Sequence, residues 1–589
     1  MDNGAASLDF FTLDFNEDFS AFHGQTLLDQ AEYVNDAIAY ILSLYHDPRR
    51  AQRDPTLPDP SSVILIGHSM GGLVARAIVT MPNFQSNSIN TIITMSTPHA
   101  RAPVSVDVDL VRAYERVNDY WRRAHLEKWA NDNPLWHITL ISIAGGGLDT
   151  IVPSDYASLE SLLPLTHGFT VFTSGIPNVW TGSDHIQTTW CVQLIRAIVR
   201  STYEIVDARR SGQTKARAER MRILKRWYLS GMEDEIEKAL PEQEMNTLIP
   251  LDKGSNSVVP AGETLVLRHL GTELPAKAHL FPLHAVSAGQ LHFSLLTDQA
   301  LKTENPALQV LFCTLHPPQS GQAASLLSMD IDTSVDLQAS SRLACRDGKI
   351  DAIALPASNR DSKQSFDDSA AFNFLTYGPS ELADYQYVAV LSRFSEHRKG
   401  WAIAELRDNT TLTLTAKQNL QQLLSSGVNV RLPAQRALVN EIKIPALHSS
   451  LLAFNLHIGP QACGSDVELF TPLLRQHISE PFESKYIVNV KNANISLHGL
   501  APFMPPPLRK VSKQGLALQL WSDPTCDSSI DIAMKVDLLG SMGKLVMRYR
   551  LVFAAFPLLV VSLVLRKQFM LYDETGAYCL ISVVLYLQD

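Results

Sequence analysis

Ser62-Val63-Ile64-Leu65-Ile66-Gly67-His68-Ser69-Met70-Gly71-Gly72-Leu73-Val74 passes from an apolar run through a glycine-rich turn into a second apolar segment. Residues 62–66 form a continuous apolar run, suited to a parallel strand buried on both faces. Leu73, Val74, Ala77 and Ile78 continue as a helix. Between them lies G-x-S-x-G, a short pattern that gains weight from its strand-turn-helix setting, the context a nucleophile elbow requires. Gly67 and Gly71 are expected to let the backbone close a tight, strained turn that lifts the Ser69 hydroxyl above the sheet. The backbone N–H of Met70 would then point toward an oxyanion. The plain alternative is a glycine-rich turn with an incidental serine.

Upstream of this run, Thr26-x-x-Asp29 reads as a capping box. The residues Leu27, Ala31, Val34, Ile38, Ile41, Leu42 and Tyr45 behind it recur at helical spacing. Phe11, Leu13 and Phe15 alternate with polar residues as a short strand would. Buried-strand candidates follow at 89–95, 138–144 and 169–173, and strands alternating with helices indicate a parallel α/β sheet through about residue 200. A serine is inert without a base, so an acid and then a histidine should follow at the ends of later strands. Asp149, after the glycines 145–147, fits the acid, with Asp155 as its rival. His185, in Gly182-Ser183-Asp184-His185, fits the base. His68, His99, His137 and His167 compete, and His68 is expected to point away from the serine side chain. The reading is an α/β-hydrolase domain with the triad Ser69, Asp149 and His185, needing no metal or cofactor because the triad activates an ester by itself.

The chain has 589 residues, too many for one domain, and 46% hydrophobic against 19% charged residues marks a folded protein. A formal charge of −10 disfavours an electrostatic grip on nucleic acid. A charged helical linker with a basic first half is expected over 203–253. Over 254–545, short alternating runs between Pro, Gly, Asn and Asp predict an all-β sandwich or jelly-roll domain. The cysteines form no C-x-x-C pair, which argues against a zinc site. Cys313 with Cys345 and Cys463 with Cys526 are the disulfides to test first, and Asn409 and Asn494 begin sequons compatible with glycosylation in an oxidising lumen. Met1 to Phe10 lacks the features of a signal peptide. Leu551 to Leu565 is uncharged and bracketed by Arg548, Arg550, Arg566 and Lys567, which favours a membrane segment within 546–589, followed by a remnant.

These residues resemble the GPI inositol-deacylases, the fungal ones most of all. The resemblance is carried by Ser20 to Gly24, Val63 to Arg76, Ser96-Thr97-Pro98-His99, Asp149 to Ser154 and Asp184-His185 before Trp190-Cys191. It continues through Leu497-His498-Gly499 and Leu518 to Cys526. It implies an endoplasmic-reticulum membrane enzyme with a lumenal catalytic domain, acting on the acyl ester of a GPI glycolipid or GPI-anchored protein. Two features of the family are not matched: a leading membrane helix with a glycine-rich strand-loop that supplies a second oxyanion N–H, and several later membrane spans. A chain truncated at both ends is therefore expected, with a strand missing from residues 1–202 beside the nucleophile strand. A general membrane-associated lipase or esterase, and an inactive lumenal protein that binds GPI-anchored clients, are the alternatives.

Overall fold

A computed structural model describes residues 8–47, 54–127, 132–234, 236–250, 256–270, 277–283, 290–303, 306–316, 342–366, 370–394, 400–463, 468–499, 505–508 and 515–578. The first seven residues and residues 579–589, with Cys579 and the end of the membrane segment and remnant expected over 546–589, lie outside them.

The first unit is built on β1 (Val63–His68), β2 (Ile89–Met95), β3 (Thr139–Ala144) and β4 (Gly168–Phe172), paired in that order and all parallel. Every residue of β2, β3 and β4 is buried, as their unbroken apolar runs require. Alternate side chains reach opposite faces. Ile92 and Leu140 pack with α1 (Gly24–Leu44), α2 (Met70–Ala77) and α3 (Val108–Leu126). Ile93, Ile141 and Ile143 pack with α4 (Val192–Ile205) and α5 (Arg217–Tyr228). Helices thus cover both faces of the sheet.

Several expectations are corrected here. β1 is not buried on both faces: among the described residues it is an edge strand, as β4 is, and Ile66 on it is 47% exposed. Residues 11–15 form no strand; Leu13 and Phe15 instead pack over the first core. Helix α1 begins before the expected capping box. His23 caps it, its Nδ1 accepting from the Thr26 N–H. The expected linker is not a solvated helix, because α5 packs against α4 and buries Arg220. That guanidinium donates to the carbonyls of Lys215 and Asn90 and to that of His137, ending three stretches of backbone in one side chain.

The β region is two sandwiches rather than one. A six-stranded and a five-stranded sheet enclose one core between residues 247 and 408, with Phe281, Val310 and Phe312 facing Phe293, Leu375 and Leu406. A second five-stranded sheet and a four-stranded sheet enclose another between 413 and 536, around Ile442, Leu518, Phe454 and Ile532. Each core closes separately because the sheets bury only one face on each other. Trp180, Phe374, Trp401, Phe470 and Trp521 form a further aromatic cluster where the first unit and both sandwiches meet. Disulfides join Cys313 to Cys345 and Cys463 to Cys526, while Cys191 is a buried free thiol. Asn409 and Asn494 are both exposed.

The apolar run at 551–565 belongs to a longer helix, Leu538–Thr575, whose 38 residues span about 57 Å. Asp537 caps it by accepting from Gly540 N–H, and Leu558, Leu559, Val561 and Leu563 along it are exposed. It is long and apolar enough to cross a membrane.

Candidate active site

The turn between β1 and α2 forces Ser69 into an uncommon conformation, φ 52° and ψ −127°. For a residue with a Cβ this region is strained, and the surroundings must hold it. Ser69 N–H donates to Met95 O at 2.9 Å, tying the turn to β2. Two glycines make the turn possible, though not both of the expected pair. A Cβ on Gly67 would lie 2.7 Å from Gly72 Cα, and one on Gly72 would lie 2.1 Å from Thr97 Oγ1. A Cβ on Gly71 would meet nothing within 4 Å, so Gly72 rather than Gly71 supplies the close approach. Met70 opens α2, where the first N–H groups of a helix have no partner within it.

Asp149 sits on the loop after β3. Gly146 takes φ 85°, and the Ser154 hydroxyl closes the loop by accepting from Gly146 N–H and donating to its carbonyl. Ser183 N–H donates to Gly145 O at 2.9 Å, which joins this loop to the one carrying His185. Ser69, Asp149 and His185 are brought together. His185 Nε2 lies 2.9 Å from Ser69 Oγ, and its Nδ1 lies 3.1 Å from Asp149 Oδ2. An ionised carboxylate only accepts, so the proton belongs on Nδ1, leaving Nε2 to accept from the serine hydroxyl. The other oxygen, Asp149 Oδ1, accepts from Ile151 N–H at 3.1 Å and Val152 N–H at 2.9 Å. The side chains of His185 and Asp149 are 7% and 1% exposed, so these bonds form out of reach of competing water.

The rivals fall elsewhere, with one exception. Asp155 pairs with Arg548 of the apolar helix at 2.5 Å; burial pushes its carboxyl up to about 6 in spite of that guanidinium. His99 is buried, bonded through Nε2 to Thr94 Oγ1 and set beside Arg76. Burial holds its imidazole well below the usual range. His167 packs between His125 and Trp136, and His137 is exposed. The exception is His68, which lies against His185. Its ring lies 4.9 Å from that of His185, and its Nε2–H donates to His185 O at 2.8 Å. Burial lowers its pKa, so it stays a neutral donor.

Sequence reasoning also missed the rim. Leu148 and Ile151 beside the acid, and Ile186 and Trp190 beyond the histidine, are all more than half exposed. Large apolar side chains facing water on both loops of a site suit an apolar ligand. The available signal was their position: each lies within five residues of Asp149 or His185.

Comparison with known proteins gives a consistent result. Residues 1–205 match the PGAP1-like alpha/beta domain, and residues 248–406 match the GPI inositol-deacylase beta-sandwich domain. The GPI inositol-deacylase of Emericella nidulans is 56% identical over 578 residues, covering 98% of this chain and 51% of that protein. Those of Aspergillus terreus and Neurospora crassa are 56% and 54% identical, again over 98% of this chain and over 50% and 46% of theirs. The chain thus spans about half the length of the curated relatives it matches. Two domains of one family in the same order, and identity above one half through nearly all of the sequence, place the chain in the GPI inositol-deacylase family.

Proposed function

We propose that this chain carries the catalytic part of a GPI inositol-deacylase, a serine hydrolase of the α/β-hydrolase kind that removes the acyl chain from the inositol of a GPI anchor. The observation that carries the reading is the unbroken hydrogen-bond chain from Ser69 Oγ through His185 to Asp149. Ser69 Oγ attacks the ester carbonyl while His185 Nε2 takes its proton. The carbonyl oxygen becomes an oxyanion facing the Met70 N–H, and His185 then returns the proton to the departing inositol oxygen. Water, deprotonated by the same imidazole, attacks the acyl-serine and releases a fatty acid. Asp149 fixes the tautomer throughout and stabilises the imidazolium.

The apolar rim of Leu148, Ile151, Ile186 and Trp190 supports a lipid acyl chain as the group delivered to Ser69. The helix Leu538–Thr575 supports attachment to the bilayer in which such a substrate resides. In this reading the catalytic unit faces the lumen of the endoplasmic reticulum, where disulfides persist and Asn409 and Asn494 can be glycosylated.

The test is incubation of the membrane-reconstituted chain with inositol-acylated GPI, beside its Ser69→Ala form, with mass spectrometry of the released fatty acid. Release by the parent and none by Ser69→Ala is the expected result. Equal release from both would remove Ser69 from the reaction, and release from neither would favour a chain that binds GPI without hydrolysing it.

A further inference from the structure

The Asp149 carboxylate is aimed by two peptide groups, and both are gripped from behind by one residue of the apolar helix. The peptide between Thr150 and Ile151 offers its N–H to Asp149 Oδ1, and its carbonyl, Thr150 O, accepts from Arg550 Nη1 at 2.9 Å. The next peptide does the same: Val152 N–H donates to Asp149 Oδ1, and Ile151 O accepts from Arg550 Nη2 at 2.7 Å. The guanidinium therefore lies across two consecutive peptide planes, with its planar fork matched to two carbonyls. A peptide whose carbonyl accepts from a cation is a stronger donor at its N–H, so the same contact both orients and polarises the groups that hold the acid.

The helix is shaped for this contact. Residues two apart on a regular helix face different sides. Here Tyr549 leaves helical geometry at φ −108° and ψ 22°, and Arg548 and Arg550 both turn to the acid loop. Arg548 pairs with the buried Asp155 and stacks 4.6 Å above the Tyr156 ring. A cavity of about 150 Å³ between Arg101, Pro153 and Tyr156 on one side and residues 548–550 on the other marks where the kinked helix meets the loop. On the loop's other flank, His498 of the second sandwich packs so closely on Gly147 that a Cβ there would lie 2.6 Å from its Nε2.

We propose that Arg550 is a positioning residue for the Asp149 carboxylate, so that the seating of the apolar helix on the loop at 150–151 sets how well His185 is held for catalysis. This rests on the reading of Ser69, His185 and Asp149 as the reacting triad.

The experiment uses the whole chain in detergent micelles with a soluble p-nitrophenyl ester, and follows kcat and KM separately for the parent, Arg550→Ala, Arg550→Lys, Arg566→Ala and Ser69→Ala. Arg550→Ala should lose on the order of 10- to 100-fold in kcat, the scale of a small misalignment at a reacting group. Its KM should stay within about twofold of the parent's, since Arg550 does not touch substrate in this scheme. Arg550→Lys, which keeps the charge but can serve only one carbonyl well, should fall between them. Arg566→Ala, changed at the far side of the apolar run, should match the parent. Should Arg550→Ala not yield a monodisperse chain, Arg550→Gln gives the same comparison.

A parental kcat in Arg550→Ala, or a raised KM with kcat unchanged, overturns the positioning role while leaving the triad standing. A parent no faster than Ser69→Ala overturns the triad reading and this one together.

Discussion

The loop at 145–155 and the sandwich interior around Arg436 both bury charge, but they secure it differently. Arg436 is 2% exposed, and its guanidinium donates to Ser522 Oγ and to the carbonyls of Asp523, Cys526 and Ser528 on one loop, and to Ala434 O and Gln461 Oε1 in the same sandwich. The Cys463–Cys526 disulfide ties that loop to the segment carrying Gln461. Asp149 is instead held by groups that are themselves held from afar: Ser183 on the histidine loop, His498 in the second sandwich and Arg550 on the apolar helix. The first arrangement is a local scaffold whose loss is a loss of stability. The second is an aiming device, and changes there should reach the chemistry before they reach the fold.

Asp149→Asn tests that difference most severely. Ile151 and Val152 N–H require an acceptor, so the amide oxygen should turn to them and leave the NH2 facing His185 Nδ1. The imidazole must then carry its proton on Nε2, where it cannot take one from Ser69. The expected loss is roughly 10⁴-fold in kcat with an unchanged unfolding midpoint. A loss under tenfold would show that the carboxylate is not what sets the tautomer.

The converse change is made in a sandwich. Cys313 and Cys345 lie directly opposite on adjacent strands, at a sequence separation of 32. Replacing both with Ala should cost about 2–4 kcal/mol of stability in denaturant unfolding. The rate of Ser69 acylation should not change. An effect on that rate would mean the sandwich contributes to the geometry of the site through more than His498.

How much of this was legible in the sequence follows the same division. The elbow could be read because Ser69 is defined by its immediate neighbours, and Asp149 and His185 because each follows an apolar strand. The sandwiches could be read as alternating strands but not separated into two, since alternation reports one buried face and not which sheet covers it. The contact of His68 with His185 was not legible, because it joins residues 117 apart in the chain. Arg550 is invisible to any local pattern, lying 400 residues from the carbonyl it binds. Gly71 and Gly72 are indistinguishable as letters, and what separates them is the side chains of Thr94 and Thr97 against Gly72.

That last distinction gives the next prediction. Gly72→Ala would place a Cβ 2.1 Å from Thr97 Oγ1 and 2.9 Å from Thr94 Cγ2, both buried, and should cost about 1–3 kcal/mol through overpacking. Gly71→Ala meets open space on a helix and should gain up to about 1 kcal/mol. Chemical denaturation of the two variants side by side decides it. Equal losses would mean that the elbow needs backbone freedom at both positions and not merely room at one.

The smallest expected effect separates the two regions by sign. Burial raises the Asp155 carboxyl from 3.8 to about 6, outweighing Arg548, Arg101 and Lys544. In Glu441, in the second sandwich, burial opposes ionisation too, but the His477 imidazole 3.6 Å away and the Lys443 ammonium at 3.2 Å outweigh it and hold the carboxyl at about 2, below its ordinary 4.5. A raised folded pKa means the native state binds the proton more tightly, so the contribution of Asp155 is full below pH 3.8 and declines as pH rises through about 6. The contribution of Glu441 is full above pH 4.5 and declines as pH falls through about 2. The stability of the parent minus that of Asp155→Asn should therefore fall with pH between these limits, while parent minus Glu441→Gln should rise with pH in its own window. Slopes of the same sign would mean that Arg548 governs Asp155 after all. The apolar helix would then be anchored to the acid loop by an ion pair that strengthens toward neutral pH, not by one that burial weakens.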